Sequence, residues 1–442
     1  MMTPLKTGYS DILRLAIPVS AGTFMQFLVV LTDNYFLSQT SDAALNGAGN
    51  AGLLYITLAM VGQGFSSTGQ ILIARRVGEG RGHEAINILR SGLAVMLCVS
   101  ILLVALVLIA LYSGFSGVFK DTETGYIFES FMSIRMWGFL PSFMSMMLVA
   151  YFMGTARSKI LMWAMIVTGT VNIIGDAGLI SGRWGLPALG ADGAAWASLL
   201  AETFGMAVLV GNVLWRHGAE LWASAWMKVE AFRRWVRLAT PMVLQLTITL
   251  GTWSMFFFFV EQVGVMELKV SHIARNFFML AFVVSQGIQQ TTRTFISGLL
   301  GEGRGHALAP VIKRLLVVNA SGILLVSHGG ILYPTLIASP FFDAPEGLYA
   351  AVRTLPVIFT AMMMYSFSSV LLSTVQGSGN TSAALVIELT ALVAYTTVSI
   401  LLTLVYPQPV WLIWRVEWIY FSLMGLGCLV FLKRWDWRSK AV

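Results

Sequence analysis

The chain has 442 residues, of which 57% are hydrophobic and only 11% charged, and its formal net charge is +7. Soluble domains carry about 25% charged residues, so this composition excludes a water-soluble globular protein and leaves no room for a large soluble domain. The basic residues sit in short loops between apolar segments, not on a stripe or patch, which points to a topogenic role and away from nucleic acid. Cys98 and Cys428 both lie within apolar segments and indicate no disulfide framework, and no CxxC or His/Cys cluster suggests a structural metal.

Apolar stretches of roughly 20 residues, the span of a bilayer core, recur along the whole length. Only helices and closed barrels satisfy their own backbone in lipid, and these runs are far too long for barrel strands. The first run follows Lys6 and Arg14 and continues through Pro18 to Asp33 without a small-residue cleavage site, so it reads as a membrane helix and not as a cleaved signal. Twelve membrane helices are predicted in all, over 12–37, 46–73, 86–112, 125–153, 160–181, 190–215, 234–262, 268–297, 308–333, 346–376, 382–406 and 409–432. With the N-terminus in the cytoplasm, 20 of the 28 Lys and Arg fall in cytoplasmic segments. Four lie on the opposite side (Lys120, Arg183, Lys269, Arg353) and four within helices (Arg135, Arg275, Arg293, Arg415). This positive-inside bias predicts that both termini are cytoplasmic.

The second half repeats the first. Arg-Leu-Ala-Ile-Pro at 14–18 returns as Arg-Leu-Ala-Thr-Pro at 237–241, and Gly-Glu-Gly-Arg-Gly-His at 78–83 returns unchanged at 301–306. Gln63-Gly64 returns as Gln286-Gly287 and Gly154 as Gly377, always 223 residues on. Six helices per half is an even number, so the halves cross the membrane in the same orientation, as parallel repeats related by an axis along the membrane normal. The predicted organisation is an N-lobe over 1–215, a polar and basic cytoplasmic linker over 216–233 and a C-lobe over 234–442. Substrate is expected between the halves near mid-membrane. The Gly-rich hexapeptide lacks the Lys-Ser/Thr ending of a phosphate loop and follows no strand. It reads as a tight turn between helices, with His83 and His306 as part of it.

A carboxylate at the centre of a membrane helix costs roughly 2.5–3.5 kcal/mol on insertion scales. The first half places Asp33 in helix 1 and Asp176 in helix 5, with Asn172 one turn before Asp176 on the same face. The second half has Phe256, Tyr395 and Ser399 at the equivalent positions, so the acidic group is not part of the repeat. Carboxylates with an amide carbonyl suit a proton or Na⁺; the plainer reading is a buried carboxylate bonded to hydroxyls such as Thr32. Arg135 on helix 4 is open to two roles, pairing with an N-half carboxylate or binding an anionic substrate group. Glu202 and Glu388 are expected as helix-end or packing residues, Arg275 and Arg293 as snorkelling cations, and Arg415 and Glu417 near a helix end. Met144, Met146 and Met147 on helix 4 and Met362, Met363 and Met364 on helix 10 fit ordinary packing or, as a sharper reading, a soft wall for apolar ligands. Within that wall Arg135, Met144, Met147 and Met363 are the candidate substrate-cavity residues.

These residues resemble the multidrug and toxic compound extrusion (MATE) family, in its prokaryotic DinF-like branch, over nearly the whole chain. The resemblance rests on Ile17-Pro18 followed by Asp33, and on Ile73-Ala74-Arg75 before the Gly-rich turn. It rests further on Asn172-Ile-Ile-Gly-Asp176 and on Gly185-Leu-Pro187-Ala-Leu-Gly190-Ala-Asp-Gly193-Ala194-Ala195. It implies an all-α, V-shaped fold of two six-helix bundles that exports organic, often cationic, compounds against H⁺ or Na⁺. It implies a cation site at Asp33, Asn172, Asp176 and Ser198, and a helix 1 bend at Pro18. Other branches carry an acidic residue inside helix 7; here Leu244–Val260 has none and Glu261 lies at the helix end, which favours the N-lobe site.

The expected function is therefore a secondary antiporter of small organic compounds in a bacterial cytoplasmic (inner) membrane. It is expected to act as a monomer, with no cofactor beyond the coupling ion and no nucleic-acid partner. The alternative is a flippase for a lipid-linked saccharide or other exported precursor. An enzyme would need a convergent nucleophile or metal constellation, and the sequence offers none.

Overall fold

The computed structural model of the chain describes residues 5–114, 121–223, 226–342 and 344–439. Among these residues there is no strand, and twelve helices are long and apolar enough to cross a membrane. They are α1 Tyr9–Ser38, α2 Asp42–Gly78, α3 Gly82–Tyr112, α4 Thr122–Gly154, α5 Lys159–Leu179 and α6 Ala191–Gly218. The second set is α7 Val229–Glu261, α8 Val265–Gly301, α9 Gly305–Ser327, α10 Pro345–Gly377, α11 Thr381–Val405 and α12 Val410–Arg434. Each predicted span falls on one of them. Lys120, one of the four expected outer basic residues, and Lys440 lie outside the described residues, as do linker positions 224 and 225.

The departures have local causes. The predicted ninth helix stops at Ser327, because Gly329 and Gly330 lower helix propensity and Pro334 has no backbone N–H; two short helices, Gly329–Leu332 and Pro334–Ala338, follow it. Helix α4 tightens to a 3-10 turn at Met136–Gly138, ahead of Pro141, which cannot donate to the carbonyl four residues back. Its start is set by Asp121, whose carboxylate accepts from the Thr124 hydroxyl and from the backbone N–H of Thr124 (3.1 Å) and Glu123 (3.3 Å). Those donors hold Asp121 below the usual carboxylate range. Helix α1 runs without interruption through Pro18.

The chain divides into two compact units, residues 17–236 and residues 1–16 with 237–442. In the second unit the leading segment is held by Leu5, whose N–H donates to Glu302 (2.8 Å) and whose carbonyl accepts from Arg304 (3.0 Å). Arg314 donates to the Thr7 carbonyl at 2.7 Å. In the first unit the segment ahead of residue 237 is held by the buried Trp235, whose Nε1 donates to Thr68 Oγ1 at 2.9 Å.

The repeat is visible as a repeated helix crossing. A Cβ added at Gly154 on α4 would stand 2.7 Å from Ile73 Cγ2 and 3.0 Å from the Gln70 carbonyl on α2. At Gly377 on α10 it would stand 3.0 Å from Arg293 Cα and 3.2 Å from Ile296 Cβ on α8. Arg293 and Ile296 are the repeat equivalents of Gln70 and Ile73, so one close approach is built twice. The repeated hexapeptide forms the same turn twice as well, with Gly80 at φ 74° and Gly303 at φ 69°, a conformation that favours glycine.

Replacing Gly154 or Gly377 by Val should overpack these crossings and cost roughly 1–3 kcal/mol each. Gly49→Ala, where an added Cβ meets nothing within 4 Å, should stay within about 0.5 kcal/mol. Thermal unfolding of the purified protein in detergent makes the comparison; equal melting temperatures for all three would refute it.

Candidate functional site

The site lies in the first unit, where α1, α5 and α6 meet. Helices α1 and α5 interlock through small residues. A Cβ at Gly22 would meet Met165 Cγ at 2.7 Å, and one at Gly169 would meet Met25 Sδ at 2.4 Å. Pairs 22/165 and 25/169 differ by nearly the same number, so two helices running in the same direction keep that register. About two turns further on it brings Asp33 beside Asp176. On the other side of α5, Gly175 lets Ala197 of α6 approach until an added Cβ would be 2.8 Å from its side chain. That approach sets Asn172 against Ser198, and Asn172 Nδ2 donates to Ser198 Oγ at 3.3 Å.

Asp176 is 0% and Asn172 1% exposed, and Asp33 is half-buried. The Asp33 carboxyl is a hydrogen-bond neighbour of both Asp176 and Asn172. Two ionised carboxylates cannot bond to each other, since neither can donate; one shared proton turns the contact into a hydrogen bond. Oδ1 of Asp33, Oδ1 of Asn172 and both carboxylate oxygens of Asp176 are buried and receive no donor from the described residues. Thr32 does not supply one, because its hydroxyl donates to the Val29 carbonyl of its own helix (2.9 Å). Lipid cannot supply one either. Four buried oxygens left facing one another form a set of hard donors suited to a proton or Na⁺.

Arg135 is engaged. Its guanidinium makes a two-pronged ion pair with Glu202 of α6 (2.5 and 3.0 Å) and lies over the Tyr55 ring at 3.7 Å, while Tyr55 Oη donates to Glu202 at 3.1 Å. Of the two roles open to it in the sequence, pairing with an N-half carboxylate is the one observed. The partner is Glu202, expected as a helix-end or packing residue and observed as the second. Met147 is fully buried against Gly69 and Gly92, at the packing of α2, α3 and α4, so it is a core residue of its unit. Met144 on α4 and Met363 on α10 are half-buried.

In the second unit one expectation changes, and two acids acquire partners. Arg293 does not snorkel: it is 6% exposed, with Nη1 donating to Gln376 at 3.2 Å. Of the two expectations for Glu388, packing is the one observed: it is a buried acceptor for Gln245, Thr249 and Tyr420. Glu417 lies near the start of α12 yet is 3% exposed, bonded by Tyr395 at 3.2 Å. The signal for these residues was present as charges inside predicted spans; what the sequence could not supply was which helix faces which. Arg275 is half-buried and sits over the Phe257 ring at 5.2 Å. Glu261 is exposed at the end of α7.

The MatE family profile matches residues 18–177 and again residues 241–401, the two matches starting 223 residues apart. A "Probable multidrug resistance protein NorM" from Rhizobium meliloti is 22% identical over 97% of this chain and 93% of that protein. A "Multidrug resistance protein NorM" from Burkholderia vietnamiensis is 26% identical over 77% of this chain and 72% of its own. Among solved structures, an outward-facing multidrug resistance MATE family transporter of the MOP superfamily superposes with a TM-score of 0.87 at 18% identity, covering 100% of both chains.

Glu202→Ala would leave Arg135 buried without its anion. Breaking one side of a buried pair costs up to about 3–5 kcal/mol, whereas replacing both sides by apolar residues of similar volume is often neutral. Thermal unfolding should therefore show a large loss for Glu202→Ala and recovery in Arg135→Met/Glu202→Leu. No recovery in the double variant would show that the pair has a further role.

Proposed function

The chain belongs to the MATE family of multi-pass membrane transporters and is not an enzyme; on that premise we propose that it is a secondary antiporter exporting organic, cationic or amphipathic compounds in exchange for H⁺ or Na⁺. One observation carries the proposal: four buried oxygens of Asp33, Asn172 and Asp176 stand together without donors, in one copy of a repeat whose other copy has Phe256, Tyr395 and Ser399 there.

The chemistry follows from the two carboxyls. When both are ionised, like charges face each other across the α1–α5 contact and repel. A proton bound between them converts repulsion into a hydrogen bond, and Na⁺ accepted by the same oxygens screens it. Cation binding thus changes the force between α1 and α5, and α1 can answer by bending at Pro18, where one backbone hydrogen bond is already missing. Moving one charge across 100 mV is worth about 2.3 kcal/mol, enough for one cation per cycle to sustain a substantial substrate gradient. Exchange follows if cation and substrate favour opposite states of the protein. Arg135, held by Glu202 and lying over the Tyr55 ring, is not a free anchor for an anionic substrate.

The test is efflux of ethidium, an organic cation, from proteoliposomes with a proton or sodium gradient imposed separately. Wild-type protein should respond to one gradient, and Asp33→Asn and Asp176→Asn should each abolish the response. Gradient-driven efflux at the wild-type rate in both variants would remove these residues from the coupling role.

The distribution of Lys and Arg supports both termini being cytoplasmic, and the bacterial origin of the NorM relatives supports a bacterial inner membrane. A green fluorescent protein fused after Val442 should fluoresce, and alkaline phosphatase fused at the same place should stay inactive. The opposite pattern would invert the topology.

A further inference from the structure

The second unit contains a buried cation and a buried anion that do not touch. Arg293 of α8 donates through Nη1 to Gln376 Oε1 of α10 (3.2 Å), Gln376 Nε2 donates to Gln245 Oε1 of α7 (3.1 Å), and Gln245 Nε2 donates to Glu388 Oε2 of α11. All three links run in one direction. Arginine can only donate and an ionised carboxylate can only accept, so the two ends dictate how both amides are turned. Arg293 is nine-tenths buried, its Nε is buried without a partner, and its hydrogen-bonding neighbour among the described residues is a neutral amide. An uncompensated guanidinium inside a membrane bundle calls for an anion, and Glu388 is the anion to which its hydrogen bonds lead.

We propose that Glu388 is a proton-binding site of the second unit, with Arg293 as its counter-charge relayed through Gln376 and Gln245. The two carboxylate oxygens are not equivalent. Oε2 faces the Gln245 amide, whose orientation is fixed by the chain behind it. Oε1 accepts from two hydroxyls, Thr249 (2.6 Å) and Tyr420 (2.9 Å). A hydroxyl can turn and accept where it had donated; an N–H cannot. A proton arriving from the aqueous phase therefore adds to Oε1, with Thr249 or Tyr420 rotating to receive it, while the amide chain stays intact. Protonation leaves the Arg293 charge unmatched, and release of the proton restores the balance.

The groups linked to Glu388 come from five helices, its own included. Gln245 and Thr249 come from α7, Arg293 from α8, Gln376 and Tyr365 from α10, Tyr395 from its own helix, and Tyr420, Glu417 and Cys428 from α12. Arg293 is the only cation among them. Glu417 is the other carboxyl; its donor is Tyr395, seven residues along α11 from Glu388, or about 10 Å. The site is separate from Asp33 and Asp176, so it can be tested with those silenced.

The experiment is infrared difference spectroscopy of the full chain in liposomes, between alkaline and acidic buffer, in the Asp33→Asn/Asp176→Asn background. A buried carboxyl C=O band should appear on acidification and vanish when Glu388→Gln is added. Tyr420→Phe, which removes one donor to the carboxylate, should keep the band but move its titration midpoint by about one to two pH units. Arg293→Gln should move it as well. The proposal is overturned if the background shows no such band, or if the band survives Glu388→Gln and disappears with Glu417→Gln. Should Glu388→Gln not fold, an unmoved midpoint in both Tyr420→Phe and Arg293→Gln overturns it equally.

Discussion

A polar side chain inside a membrane-spanning bundle has to be answered from within that bundle, because lipid offers neither donors nor acceptors. Most of what distinguishes this chain from a plain stack of apolar helices follows from how each unit meets that demand. In the first unit Arg135 is closed off by Glu202 and Tyr55. In the second, Arg293 and Glu388 are joined through two glutamines. At Asp33, Asn172 and Asp176 the demand is left open on the acceptor side. A site that the fold does not complete is one that a mobile cation can complete.

The two units solve the same packing problem with different polar contents. Gly154 against Gln70 and Ile73 becomes Gly377 against Arg293 and Ile296. The apolar contact and the glycine are kept, while a neutral amide in one copy is a cation in the other. Equivalence of backbone therefore does not carry equivalence of charge. Each unit has its own buried acids, Asp176 on α5 in the first and Glu388 on α11 and Glu417 on α12 in the second.

The architecture was legible in the sequence because its causes are local. Span length and a constant offset are both read along the chain, and they identify twelve helices and the repeat of one half in the other. The Asp33, Asn172 and Asp176 group was legible because carboxylates inside apolar runs are costly and because the repeat exposes them as departures. The partners were not. Glu202 reads as either a helix-end or a packing residue until α4 and α6 are seen face to face, and Arg293 reads as a snorkelling cation until α10 covers it. Met147 looks like the soft wall of a binding site in a Met-rich run, yet Gly69 and Gly92 make room for it in the core. Rotation of each helix about its own axis decides all of these, and a sequence gives that rotation only where one face is plainly polar.

The constant 223-residue offset also says something about how such a chain can change over time. An α-helix turns 100° per residue. One residue inserted in α2 between Gln63 and Gln70 would swing Gln70 and Ile73 away from Gly154 and carry every later contact of that helix with it. Substitutions at the lipid-facing positions disturb nothing of the kind. Lineages of this protein should therefore drift far in residue identity while tolerating almost no change of length within the spans. A superposition of TM-score 0.87 surviving at 18% identity is what that asymmetry leaves behind.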